Sequence, residues 1–181
     1  MYGLVNRGIR DLAIKEGGDE LWARIRERAG VELDDFLSMQ AYEDDVTVAL
    51  VGAASAELDV SAYDLLRRFG HHWVLFTGSE GYGPLMDISG DSLEHFLMNL
   101  DQMHARIKMS MPELDPPSFV CEKADDKTIM VQYFSNREGL AAMVVGLLEG
   151  LAEKFGDKAT VELVSEKQVV SDADVLRISL A

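Results

Sequence analysis

The apolar residues of this 181-residue chain change period once, near Pro112, and that switch limits the folds open to it. Before it, apolar side chains recur at about three- to four-residue spacing, the pattern of amphipathic helices. From Ser118 the period is closer to two, the pattern of half-buried strands. Helices first and strands afterwards predict an α+β domain. Its helical N-terminal part would be followed by a small antiparallel sheet with one helix packed on it.

The local signals fill in that outline. Leu4, Val5, Ile9, Leu12 and Ala13 share a helix face that Gly17-Gly18 ends. Asp19 can cap a second helix, carrying Leu21, Trp22 and Ile25 and closing at Gly30. Val46 to Leu58 reads as a third helix. Ser61 is a good cap for a fourth, with Leu65, Leu66, Phe69, Trp73 and Phe76. Thr77 to Gly81 reads as a break, followed by a short turn around Leu85. Gly90-Asp91-Ser92 opens a long helix running to about Lys108. Phe119 to Glu122 and Thr128 to Tyr133 are predicted strands joined across Asp125-Asp126-Lys127. A strongly apolar helix from Gly139 to Phe155 follows, and Thr160 to Val164 and Val175 to Leu180 are the last two strands. The pattern is that of one domain spanning 1–181.

Charge narrows the function. The chain carries 32 acidic and 17 basic side chains, a formal net charge of −15. Such a chain repels phosphate backbones, so nucleic acid is not an expected partner, and an anionic membrane surface is disfavoured likewise. No apolar run approaches a membrane span, and the N-terminus lacks the pattern of a signal peptide. The single cysteine, Cys121, allows no intrachain disulfide and suits a reducing cytoplasm, the expected location. The glycines between Thr77 and Gly81 have neither a P-loop lysine nor dinucleotide spacing.

Two features carry chemistry. His104 lies on the apolar stripe of the predicted helix, on the face of Leu93, Leu97, Leu100 and Ile107, with His95 opposite. A lone histidine there reads either as a hydrogen-bonded core residue or as a metal ligand. No histidine pair has helical ligand spacing and there is no Cys-x-x-Cys, so a zinc site is poorly supported. One imidazole does suffice for haem, whose porphyrin supplies the other ligands. The second feature is Tyr133-Phe134-Ser135-Asn136-Arg137. In extended backbone, alternate side chains leave one face, so Tyr133, Ser135 and Arg137 form a row of donors. Such a row can grip carboxylates, although an arginine after a strand is also ordinary surface charge.

Together with five further segments these motifs resemble the H-NOX family, the gas-sensing haem domain of bacteria and of the soluble guanylate cyclase β subunit. The segments are Met1-Tyr2-Gly3-Leu4-Val5-Asn6, Gly52-Ala53-Ala54-Ser55, Gly81-Tyr82, Asn99-Leu100-Asp101-Gln102-Met103-His104 and Pro116-Pro117-Ser118-Phe119. The resemblance covers essentially the whole chain. It implies haem b between a helical distal part (1–60) and a part made of proximal helices and sheet (61–181). It implies His104 as the proximal iron ligand, Tyr133, Ser135 and Arg137 as the propionate clamp, and Pro117 pressing on the macrocycle. Val5, Ile9, Trp73, Met143 and Leu147 are the implied distal wall.

The distal wall sets the expected ligand. Bound oxygen carries partial negative charge and gains from a hydrogen-bond donor, whereas nitric oxide needs one much less. In oxygen-binding relatives a tyrosine on the helix after the clamp supplies it; here the matching residue is Met143, and Ala141, Ala142, Val144 and Val145 offer no donor. The resemblance therefore implies a ferrous haem sensor that binds NO and CO in preference to O₂. Its signal would pass, through release of His104, to a separate histidine kinase or cyclic-di-GMP enzyme. Two alternatives stay open: an oxygen-binding haem protein using the Trp73 indole, and a haem-free module binding another carboxylate or a peptide. No distal histidine or arginine is placed for peroxidase-type acid–base work, so no enzymatic activity is expected.

Overall fold

A computed structural model describes residues 1–166 and 172–181; for residues 77–82 it describes the backbone alone. Helix α1 (Gly3–Ala29) is two segments joined at Gly17-Gly18, where Gly18 takes a φ of 72° and the helical ladder is interrupted. Gly30 ends it in the left-handed region, as a C-terminal glycine should. Helices α2 (Asp44–Leu58) and α3 (Ala62–His72) follow. Ser61 caps α3, its hydroxyl accepting from the Asp64 N–H at 3.0 Å.

The expected break after Phe76 is absent from the backbone. A π turn (Trp73–Thr77) passes directly into α4 (Gly78–Asp87), which also takes in Leu85. Met86 is buried and Leu85 packs on the same core, so tertiary burial overrides the weak propensity of the glycines. The long helix expected from Ser92 is instead two. Ser92 caps α5 (Leu93–Met98), and Asn99, at ψ 2°, separates it from α6 (Leu100–Ser110). The Asn99 side-chain amide donates to the Ser89 carbonyl at 3.0 Å, which holds the bend.

The sheet follows the expected pattern with strands a little longer: β1 (Ser118–Asp125), β2 (Thr128–Phe134), β3 (Ala159–Ser165) and β4 (Asp174–Leu180). All pairs are antiparallel and the order is β1-β2-β4-β3. Helix α7 (Ala141–Phe155) connects β2 to β3. Alternation in β2 buries Ile129, Val131 and Tyr133.

The described residues form two apolar cores. Ile9, Leu12, Trp22, Ile25, Leu50 and Phe69 belong to the N-terminal one. The other joins Leu93, Phe96 and Leu97 to Val131, Leu148, Leu176 and Ile178. They meet where α3 crosses α7. There Gly70 and Gly146 let the backbones touch: a Cβ on either would collide with a carbonyl oxygen, that of Met143 or of Arg67. An Arg67–Glu149 ion pair and a His71–Glu153 hydrogen bond flank the crossing. Among the described residues no single helix is long and apolar enough to cross a membrane.

Candidate cofactor site

A cavity of about 280 Å³ lies between the start of α1, the π turn, α6, the Pro116-Pro117 segment and α7. Of the residues singled out above, His104, Pro117, Tyr133, Ser135, Arg137, Val5, Trp73, Met143 and Leu147 all line it. Ile9 does not. It is buried in the N-terminal core, one helical turn past Val5 and turned toward α2 and α3. The period of α1 assigns both residues to one apolar face, but that face is wider than the cavity.

His104 sits on α6 one turn after Leu100, with Met103 buried beside it. Its Nδ1 lies 3.2 Å from the Pro117 carbonyl oxygen. A carbonyl can only accept, so this contact places the proton on Nδ1 and leaves the Nε2 lone pair available. Burial holds the imidazole below its usual pKa, against smaller opposing effects of the Pro117 bond and the Asp101 charge. A neutral imidazole with a fixed tautomer is a competent metal ligand. Among the described residues no group of three His, Cys, Asp or Glu could hold a metal ion.

Asp101, three residues before His104, was not singled out from the sequence. Its carboxylate accepts from the Ser118 hydroxyl at 2.6 Å and from the Phe119 N–H at 2.9 Å. Asp101 and His104 thus hold Pro117, Ser118 and Phe119 from one face of α6. The signal was the helical i, i+3 spacing. Phe119 then packs between His104 (ring centroids 5.9 Å apart) and Tyr133 (5.4 Å).

At the other edge, Tyr133 is buried on β2, and burial raises its phenol above the usual pKa while a hydrogen bond with Ser135 opposes this. The Ser135 hydroxyl also accepts from the Arg137 N–H at 3.0 Å. Arg137 donates from Nε to Asp44 at 2.8 Å and from Nη1 to the Asp115 carbonyl at 2.9 Å. Asp44 was likewise missed, since an acid in a run of acids on a helix start reads as solvated charge. The remaining lining is mostly apolar, with Val144, Leu148 and Leu151 from α7 and Met86, Phe96 and Ile107 from other elements, and it also includes Tyr2 and Asp115. Such a site can offer one axial nitrogen to a metal and cationic or hydroxyl donors to carboxylates, around an apolar body. Cys121 is half-buried, and burial pushes its thiol up to about 11, as for an inert structural cysteine.

Comparison with known proteins defines the class. The family model for haem-NO-binding proteins (HNOB) matches residues 2–163, and the chain belongs to that family. Soluble guanylate cyclase gcy-32 of Caenorhabditis elegans is 31% identical over 160 residues, which are 87% of this chain and 23% of that protein. The rat guanylate cyclase soluble subunit beta-2 is 33% identical over 93 residues, 51% of this chain and 14% of the relative. The chain thus matches only about a quarter or less of the length of these curated relatives.

The fold agrees. An H-NOX protein from S. oneidensis in the Fe(II)NO state superposes with a TM-score of 0.89 at 20% identity, covering 100% of this chain and 99% of that one. The unliganded Fe(II) H-NOX protein from K. algicida gives 0.83 at 22% identity, covering 100% and 97%. An H-NOX domain from Shewanella oneidensis in the Fe(II)CO state gives 0.86 at 19%, covering 100% and 99%. This is therefore an H-NOX domain, a haem-binding gas-sensor module.

Proposed function

We propose that this protein is a ferrous haem b sensor for NO and CO that discriminates against O₂. The observation that carries the reading is the cavity's composition. His104 stands on one side with its tautomer set, Tyr133, Ser135 and Arg137 stand at one edge, and Val5, Met143, Val144 and Leu147 supply no hydroxyl or amide from their side chains. The donor set fits haem: one neutral imidazole for the axial position, a guanidinium and two hydroxyls for two carboxylates, and apolar surface for the ring. When bound, haem supplies the iron at which diatomic gases coordinate.

The chain's own residues have separable roles in this reading. His104 ligates through Nε2, while the Pro117 carbonyl keeps its ring oriented. Pro117, which lines the cavity, stiffens its loop and would press on the macrocycle and keep it bent. Arg137, Tyr133 and Ser135 neutralise and orient the propionates, whose desolvation would otherwise be costly. The apolar wall excludes water and gives bound O₂ little stabilisation. Release of His104 on NO binding would free α6, and the helical half would then shift against the half that holds the propionates. This is a two-state element biased by one ligand. In this reading the chain signals rather than catalyses, in the cytoplasm, and its output passes to a separate histidine kinase or cyclic-di-GMP enzyme.

The test is the absorption spectrum of the purified ferrous protein under argon, in air, and then with NO. The expected result is a Soret band unmoved by air and displaced by NO. A stable spectral change in air would instead favour the oxygen-binding reading through the Trp73 indole. Colourless protein that binds no haem would overturn both.

A further inference from the structure

A second, more open groove of about 660 Å³ runs between α1, α3 and α7, away from the cavity just described. His72 lines it. The side chain is 7% exposed, and neither Nδ1 nor Nε2 has a hydrogen-bond partner among the described residues. Its ring stacks on Phe76 at a centroid distance of 4.7 Å and an interplanar angle of 24°. Lys15 of α1 places Nζ 4.4 Å from the centroid of the same Phe76 ring. The stack Lys15–Phe76–His72 therefore ties α1 to the end of α3 and the π turn.

The stack tolerates a neutral imidazole and not an imidazolium. A buried cation with two unpaired N–H groups is costly. The charged groups around it do not relieve that cost. On α3, Asp64 is engaged by Ser61, Arg67 by Glu149 of α7, and His71 by Glu153 of α7. Arg68 adds a further positive charge to the lining. On α1, Asp11 pairs with Arg10 at 3.7 Å, and Glu16 lines the groove without bonding the imidazole. Burial holds His72 below its usual value of 6.5 and Lys15 acts in the same direction; Asp11 and Glu16 oppose them, and His71 adds to the lowering.

We propose that protonation of His72 opens this groove, so that the stack is an acid-sensitive catch between α1 and α3. To find partners for two N–H groups the imidazolium turns out into the groove. It then leaves the Phe76 ring on which Lys15 rests, and α1 loosens against α3. The sign follows from linkage. The unfolded or opened chain titrates near 6.5 and the closed chain lower, so between these values the open form holds more protons. The closed form is fully favoured above 6.5 and loses ground as pH falls toward the lower value. The inference does not depend on haem or on any gas.

The experiment is amide hydrogen exchange on the full chain, corrected for intrinsic exchange chemistry, between about pH 7.5 and about pH 5.5. Exchange in the first segment of α1 and at the end of α3 is expected to rise severalfold on acidification. His72→Phe keeps a ring on Phe76 and should abolish that rise. Lys15→Met removes a charge that opposes protonation in the closed chain, so its acid-induced rise should be smaller than that of wild type. An acid response equal in wild type and His72→Phe, or none in wild type, overturns the proposal. If His72→Phe does not fold, a rise in Lys15→Met as large as that of wild type overturns it as well.

Discussion

Arg137, after the last strand residue of the clamp motif, donates from Nε to the Asp44 carboxylate 2.8 Å away at the start of α2. Ninety-three positions separate the two, so one ion pair ties the N-terminal helices to the edge of the cavity. Asp44 also accepts from the Met1 ammonium. That bond, with the Arg137 contact behind it, holds the carboxyl below its usual pKa, against the smaller opposition of burial. A carboxyl depressed in the folded state stabilises it above the unfolded value of 3.8, and the contribution is lost as pH falls through the lower folded value. Asp44 is about half exposed, so Asp44→Asn is expected to cost only about 0.5–1 kcal/mol. Urea melts at about pH 7 and about pH 3 test this: the variant should lie below wild type at the first, and the gap should narrow at the second.

Asp101→Ala should be costlier. It removes the acceptor of the Ser118 hydroxyl and of the Phe119 N–H together; both bonds are solvent-exposed, so each costs about 0.5–1.5 kcal/mol. Asp101 also raises the pKa of His104, against the burial that lowers it. The imidazole of the variant should therefore titrate lower still. Histidine ring NMR on the cofactor-free variant would read that shift, and an unmoved His104 resonance would contradict the assignment of Asp101.

These two carboxylates mark where the sequence stopped being legible. The β2 strand, the α3 cap at Ser61 and the apolar α7 were readable because local period and capping agree with the tertiary structure. Nine of the ten residues singled out for the candidate site line one cavity: Val5, Trp73, His104, Tyr133, Met143 and Leu147 from helices or a strand, and Pro117, Ser135 and Arg137 from the loops beside them. Ile9 fell outside because a helix face says which residues are buried, not against what. The π turn at Trp73 and the bend at Asn99 depend on tertiary burial and on one amide bond to Ser89, neither of which has a periodic signature. Asp44 meets Arg137 only through the fold, and nothing local distinguishes it from its neighbour Asp45.

The α3–α7 crossing tolerates no added side chain. Gly146→Ala gains roughly 1 kcal/mol of helix propensity, yet its new methyl group meets the Arg67 carbonyl. Backbone cannot move aside as a side-chain tip can, so overpacking of about 1–3 kcal/mol or more should dominate. The variant should be less stable than wild type, with a lower thermal midpoint. Gly52→Ala, where an added Cβ meets nothing within 4 Å, should instead be neutral or stabilising.

Cys121 should react slowly. Its thiol is displaced to about 11, mainly by burial, with the Asp101 charge adding to it. At pH 8 only about a thousandth of it would be thiolate, against roughly a quarter of an unperturbed cysteine. Iodoacetamide labelling at pH 8 should therefore be slowed by more than about a hundredfold relative to free cysteine. Labelling as fast as a free thiol would show that the β1 position is open to solvent.

Met143→Tyr tests the selectivity argument from the opposite direction. Met143 is in the first turn of α7 and lines the cavity beside Val144 and Leu147. A phenol there adds a hydroxyl beside Val5, Val144 and Leu147, whose side chains carry none. A hydrogen bond in an apolar cavity favours the more polar bound ligand, by about 1–2 kcal/mol or roughly tenfold in affinity. O₂ should gain that factor and CO very little. The measurement is the ratio of O₂ to CO dissociation constants in the ferrous variant and in wild type. The ratio should fall in Met143→Tyr and stay put in Met143→Leu, which keeps the volume without a donor. Equal ratios in all three proteins would mean that donors elsewhere, the Trp73 indole first among them, set the preference.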